Sequence, residues 1–292
     1  MLNGISMDPT NSLSGRSPGG VSARPRHRMP TVFGPSPGPR QGPDGRPFDW
    51  SRAPRSTASV SFLTDASHLS QLLPPGFSLH GDPVVTLEAT TLSDLPWLAG
   101  RGYRMLGVKF ASRFEGRRDV ATGPFLSVLW ENRPEPIITG REELGFAKLY
   151  AELPEPRTFA GVQRHQATWE GHTFLEMELS DLVDAWPPQV AAAAAADNPP
   201  TGTLHWRYLP ALDPDDDVSQ AVITPAGGFD VTYETFQRGH GKVRFIRSTW
   251  EQVPTMFHII NALAELPVLE GRGASFSRSY GAKDLSDQRV LR

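Results

Sequence analysis

From residue 56 to residue 250 the apolar residues recur mainly with period two, and this excludes most helix-rich folds. Segments 59–63, 84–91, 103–112, 125–130, 173–179 and 204–209 read as strands, rich in β-branched and aromatic residues. In 103–112, Leu106, Val108 and Phe110 fall on one face, and Met105, Gly107, Lys109 and Ala111 on the other. Two more strands, 229–236 and 243–250, are expected on either side of a hairpin turn at 237–241, where Gly239 and Gly241 stand. Helical periodicity is clear only at 255–266, where Met256, Ile259, Ile260 and Leu263 share a stripe that Pro267 stops. A shorter helix is expected from a cap at Asp65 or Ser67 through Leu72 and Leu73, stopped by Pro74-Pro75-Gly76. Many strands with few helices, and no regular strand–helix alternation, predict an α+β protein built on an antiparallel sheet or barrel.

The first 54 residues have a different texture. Gly, Pro, Ser and Arg dominate, as in Gly34-Pro35-Ser36-Pro37-Gly38-Pro39, and such a segment buries too little apolar surface to offset its ordering entropy. Residues 1–54 are therefore expected to be a disordered extension, and 55–292 one domain. The Arg excess in the extension reads either as a tether to an acidic partner or as a solvated tail, with Met7 or Met29 as alternative starts. Ala191 to Ala196 reads as a surface insertion, and the acids from Asp213 to Asp217 as a solvated turn.

Composition narrows the function. The net charge is −3, so no overall field draws the chain to nucleic acid or an anionic membrane. There are 0 cysteines, which removes disulfides, thiolate catalysis and Cys-ligated zinc. No apolar run is long enough to span a bilayer and the start lacks a secretory core, so a cytoplasmic protein is expected. Phosphate-loop, dinucleotide, H-E-x-x-H and G-x-S-x-G patterns are absent, and the histidines lack metal-ligand spacing. What remains is Lys148, one amine in Gly145-Phe146-Ala147-Lys148-Leu149 after the charged step Arg141-Glu142-Glu143. A lysine among apolar groups loses solvation of its charged form, and the neutral amine can attack a carbonyl. The plain alternative is a lysine with its stem packed and its head in water.

The run Glu131-Asn132-Arg133-Pro134, then Gly140-Arg141-Glu142, then Gly145-Phe146-Ala147-Lys148, resembles the signature of acetoacetate decarboxylase-like proteins. Leu72-Leu73-Pro74-Pro75-Gly76-Phe77, Trp206-Arg207-Tyr208-Leu209-Pro210 and the ending from Trp250 through Pro254-Thr255 to Leu266-Pro267-Val268 match it in the same order. The resemblance covers about residues 55–285 and implies a cone-like barrel with helices packed outside. It implies that Lys148 forms a Schiff base, that Arg55 and Glu88 fall on active-site positions, and that Met105 stands where decarboxylases have a glutamate. Arg55 would bind a substrate carboxylate or hold Glu88. Glu88 would be an acid/base group or simply the partner of Arg55. Phe146 and Met105 would line the substrate site, with Arg141 and Glu142 as scaffold. The resemblance implies neither a cofactor nor a metal, and a homo-oligomer is expected.

Two further departures bear on mechanism: Ala147 replaces the family's proline and Leu149 its second lysine. Tuning of the amine then falls to apolar surroundings, for which Leu149, Phe146 and Met105 are candidates; Lys109 is a candidate displaced cation. A protonated Schiff base stabilises the enamine left when a bond β to the imine carbon breaks, so decarboxylation, aldol steps, dehydration and cyclisation share the same sink. The expected function is a Schiff-base lyase acting on a small-molecule keto acid, with aldol, dehydration or cyclisation chemistry, or decarboxylation of an acid other than acetoacetate. The alternative is a non-catalytic member that binds a carbonyl or carboxylate ligand.

Overall fold

A computed structural model describes residues 24–187, 200–227, 231–283 and 285–292. In chain order the strands are β1 (Pro54–Leu63), β2 (Phe77–Leu79), β3 (Val84–Leu92), β4 (Tyr103–Glu115), β5 (Val120–Glu131), β6 (Lys148–Tyr150) and β7 (Arg157–Phe159). They continue as β8 (Val162–Trp169), β9 (His172–Asp184), β10 (Gly202–Leu209), β11 (Val218–Pro225), β12 (Thr232–Phe245), β13 (Glu270–Tyr280) and β14 (Arg289–Leu291). Among the described residues three α-helices accompany them: α1 (Ala66–Ser70), α2 (Pro134–Thr139) and α3 (Phe257–Ala264). Among the described residues no helix is long and apolar enough to cross a membrane.

The strands form one 14-stranded sheet whose main path runs β14-β11-β10-β5-β4-β3-β1-β13-β12-β9-β8-β7. The expected antiparallel α+β architecture is present, but the expected barrel is not closed. Both ends of the path are three-residue strands, too short to carry a closing ladder. The sheet nevertheless curls over one core. Ala58, Val60, Leu87, Leu106 and Val108 share it with Leu175, Met177 and Leu179 of β9 and with Ile260 and Leu263 of α3. Trp130 on β5 meets Phe174 on β9 with ring centroids 5.3 Å apart.

The sheet forks at β5. Along one edge β5 pairs with β4 throughout. Its other edge is divided, with Phe125 beside Leu204 of β10 and Leu129 to Glu131 beside β6, both in parallel. β5 also bulges at Ser127, since Val108 opposes Val128 while Lys109 opposes Leu126. The bulge sends Phe125, Val128 and Trp130 into the core and turns Leu126, Leu129 and Glu131 toward a cavity on the other face.

The expected hairpin at 237–241 does not form; β12 runs through it unbroken. The two glycines serve close approach instead. A Cβ on Gly239 would lie 2.3 Å from the carbonyl oxygen of Ser180 on β9, and one on Gly241 would lie 2.6 Å from the Val60 side chain. Gly239→Ala should therefore destabilise the fold by about 1–3 kcal/mol through overpacking. Chemical denaturation measures this, and an unchanged midpoint would place a turn there after all. Asp65, not Ser67, caps α1, accepting from the His68 backbone N–H at 2.9 Å. α1 ends earlier than expected, at Ser70, and α3 is shorter by two residues at each end.

Part of the segment expected to be disordered has a defined path. Residues 24–53 include a 3-10 turn at Thr31–Phe33 and a buried Gln41, and Pro39 and Trp50 reach the cavity described below. Arg28 clamps Glu143, and Arg40 donates to the carbonyl of Leu285, so charge and backbone contacts anchor a stretch poor in apolar residues. Residues 1–23 and the alanine run at 191–196 lie outside the described residues. The acids near 215 form an exposed 3-10 turn capped by Asp213.

Candidate active site

Lys148 is placed by an unusual helix. α2 starts on Pro134, where a missing N–H costs nothing, and then loosens into a π-helical turn at Gly140–Leu144. The turn ends at Gly145, whose φ of 75° favours glycine. The chain then enters β6 with Lys148 level with Leu129. Arg141 secures the entry by donating to the Lys148 carbonyl at 2.7 Å. Glu142 extends an exposed side chain and contributes only its backbone carbonyl, which accepts from Arg207 at 2.9 Å. The carboxylate tied down on this turn is Glu143, held by Arg28.

The Lys148 side chain is buried and lies along Gly140, where a Cβ would come within 2.5 Å of Cδ and Cε and 2.6 Å of Nζ. Nζ donates to the Pro136 carbonyl at 3.0 Å and sits 2.8 Å from Glu131 Oε1. Glu131 has 0% exposure. The Lys148–Glu131 approach is close but off the hydrogen-bonding direction, so neither carboxyl oxygen has an aligned donor among the described residues. Burial raises the Glu131 pKa above the ordinary carboxylate value, with the Lys148 charge opposing. Phe146 lies 5.8 Å from Nζ and stacks on His205 at 4.4 Å.

These groups open onto a cavity of about 580 Å³ that also takes in Arg55, Glu88, Tyr103, Met105 and Lys109. Strand register orders its wall. Arg55, Leu92 and Tyr103 form one row; Thr90, Met105 and Glu131 the next; Glu88, Gly107, Leu129 and Lys148 the third. Glu88 pairs with Lys109 at 2.8 Å rather than with Arg55. Burial alone would raise the Glu88 pKa, but Lys109 and, more weakly, Arg55 outweigh it and hold the carboxyl below its usual value. The Arg55 guanidinium forms no hydrogen bond or ion pair among the described residues, although its charge reaches both Glu88 and Tyr103. Burial raises the Tyr103 pKa, and Glu131 adds to the rise. Leu149, a neighbour of Lys148 in sequence, points the other way and packs on the core, as strand alternation requires. It therefore does not supply the apolar surroundings expected of it. Among the described residues no three His, Asp or Glu side chains converge as a metal site would need.

Glu131 was legible as part of a motif but not as the partner of the amine. The signal was its place two residues beyond Leu129 on the same strand face. His205 shows how firmly the wall under Phe146 is sealed: burial lowers its pKa from 6.5 to about 4, while its Nε2 bonds the Leu144 carbonyl at 3.1 Å. A histidine depressed in the folded state gives stability that is complete above the unfolded pKa and is lost as pH falls from about 6.5 through 4. The loss should reach about 3 kcal/mol. Melting temperature against pH should fall less steeply for His205→Gln than for the parent, and equal slopes would contradict this.

Comparison with solved structures finds the same fold at low identity. A structure of acetoacetate decarboxylase superposes with a TM-score of 0.61 at 15% identity, covering 84% of this chain and 91% of that one. The enduracididine biosynthesis enzyme MppR, in complex with the condensation product of pyruvate and imidazole 4-carboxaldehyde, gives 0.59 at 18%, covering 94% and 98%. Acetoacetate decarboxylase from Legionella pneumophila gives 0.58 at 17%, covering 96% and 98%. Comparison with curated protein sequences finds no match. The model of the family described as acetoacetate decarboxylase (ADC) matches residues 28–282, which take in the Arg28 clamp, the forked sheet and Lys148, and the chain belongs to that family.

Proposed function

We propose that the protein is a Schiff-base lyase acting on a keto acid, with Lys148 as the nucleophile and Glu131 as the group that moves protons beside it. The carrying observation is the buried Nζ at 2.8 Å from a fully buried carboxyl, on the wall of a cavity of about 580 Å³. The neutral amine adds to the substrate carbonyl, and the carbinolamine loses water to give a protonated imine. The imine nitrogen then accepts the electron pair of a bond broken at the neighbouring carbon, leaving an enamine. If that bond is to a carboxylate, CO₂ leaves. If it is to hydrogen, a base takes the proton and the enamine carbon can add to an aldehyde, whose oxygen is protonated. Water finally hydrolyses the imine and frees Lys148.

Glu131 suits the proton steps because burial favours its neutral form and raises its pKa above the ordinary carboxylate value, beside the amine it would serve. Glu88 suits them less, being held ionised by Lys109. Arg55 is placed to receive the substrate carboxylate, two rows from Lys148. Met105 stands directly opposite Glu131 and carries no proton, which favours aldol-type chemistry over decarboxylation of acetoacetate. A fold neighbour solved with a pyruvate condensation product is in keeping with that preference.

Borohydride reduction in the presence of pyruvate should add the reduced substrate mass to Lys148, and Lys148→Ala should show no such gain. Ligand-dependent melting without any trapped adduct would replace this reading with a non-catalytic carbonyl- or carboxylate-binding protein. Release of CO₂ from acetoacetate should be weak or absent. Efficient release would mean that Met105 costs the site nothing.

A further inference from the structure

We infer that the keto acid carries a medium-length alkyl or aryl group, which lies in an apolar arm of the cavity running from Lys148 past Leu126 and Pro124 to Leu285. The inference rests on the Schiff-base reading for the position of the carbonyl and adds the class of substrate. The amine is not at the end of the cavity but partway along it. On one side lie the Thr90–Met105–Glu131 row and then the Arg55–Leu92–Tyr103 row, where the guanidinium has no hydrogen-bond or ion-pair partner among the described residues. On the other side the register continues through Lys109 and Leu126 to Ala111 and Pro124, and the cavity extends there. Two such steps along an antiparallel pair amount to on the order of 10 Å.

The second arm has little to offer a polar ligand. Lys109 at its entrance is committed to Glu88. Deeper in, Lys283 is held by the Pro225 carbonyl and the Asp287 carboxylate, and the Thr224 hydroxyl accepts from Gln288 at 2.8 Å. What remains is mostly apolar surface and small residues, with the Thr203 hydroxyl among them. The bulge at Ser127 creates this wall, because without it Leu126 would face the core. A cavity of about 580 Å³ also lies in the range that holds drug-sized ligands, roughly several times what pyruvate fills. Pyruvate alone would leave the arm empty, and apolar surface would go unused in binding.

The test is a series of 2-oxo acids of rising chain length (pyruvate, 2-oxobutanoate, 2-oxohexanoate, 2-oxooctanoate) at equal concentration. Two readouts are taken: the rate of borohydride trapping at Lys148 and the shift in melting temperature. Trapping efficiency should rise by up to about fourfold per added CH₂ until the arm is full. Leu126→Trp should flatten the series, and Leu126→Ala should move its optimum to longer chains. If pyruvate traps as well as 2-oxooctanoate, the inference fails while the Schiff-base reading stands. If nothing traps, the Schiff-base reading fails. The melting shifts of Lys148→Ala then decide the arm, with a rise along the series upholding it and no rise overturning it.

Discussion

Replacing Glu131 with glutamine is expected to lower turnover of a trapped keto acid by about 10²–10⁴-fold while leaving the borohydride adduct at Lys148 intact. Glutamine keeps the volume and hydrogen-bonding reach of the side chain but cannot carry a proton. The buried position of Glu131, without an aligned donor, leaves its lone pairs free for the substrate and for water. Imine formation can proceed slowly without it, so trapping persists under excess reductant. Proton donation to the substrate carbon cannot readily pass to Glu88, whose carboxyl Lys109 holds below its usual pKa. Stopped-flow or endpoint turnover against trapped fraction separates the two steps. Turnover that survives in Glu131→Gln would reduce Glu131 to a counter-ion for the amine.

Gly140→Ala should reduce turnover by about 10²-fold with little loss of stability. Its backbone, at φ −69°, is ordinary helix, which alanine adopts readily. The new methyl's nearest neighbours would be Cδ and Cε of Lys148 at 2.5 Å and Nζ at 2.6 Å, and that side chain must move aside. A displacement of about 1 Å at a nucleophile is enough for such a loss. Melting temperature and turnover are measured on the same preparation. Normal turnover would mean that the amine works from more than one position, and a collapse of stability would make Gly140 a packing residue instead.

Lys148, Glu88, Arg55, Met105 and Phe146 were legible because a motif in order along the chain singled them out, and all line one cavity. The face of β4 was legible too, since alternation there is unbroken. Pairing was not. Glu88 finds Lys109 through a diagonal across β3 and β4, and Glu131 finds Lys148 through a parallel contact with a three-residue strand. Neither register appears in local periodicity. The bulge at Ser127 was equally hidden, because one extra residue reverses which side chains of β5 face the cavity without altering composition. Gly239 and Gly241 misled for a related reason: a glycine needed for a turn and one needed for close approach look alike in sequence. The ordering of residues 24–53 rests on Arg28 and Arg40 finding distant partners, which a Pro/Gly-rich composition cannot foretell.

The fork at β5 separates two tasks on different pieces of chain. The amine of Lys148, the bond-making atom of the proposed function, rides on β6, a short branch set by α2, the π turn and the Arg141 contact. The cavity walls that would recognise a substrate come from β1, β3, β4 and the bulged half of β5, which belong to the main sheet. A residue exchanged on those walls alters which molecule fits without disturbing how the amine is held. If Lys148 is the electron-accepting centre proposed above, such a layout lets it be inherited unchanged while its clientele turns over.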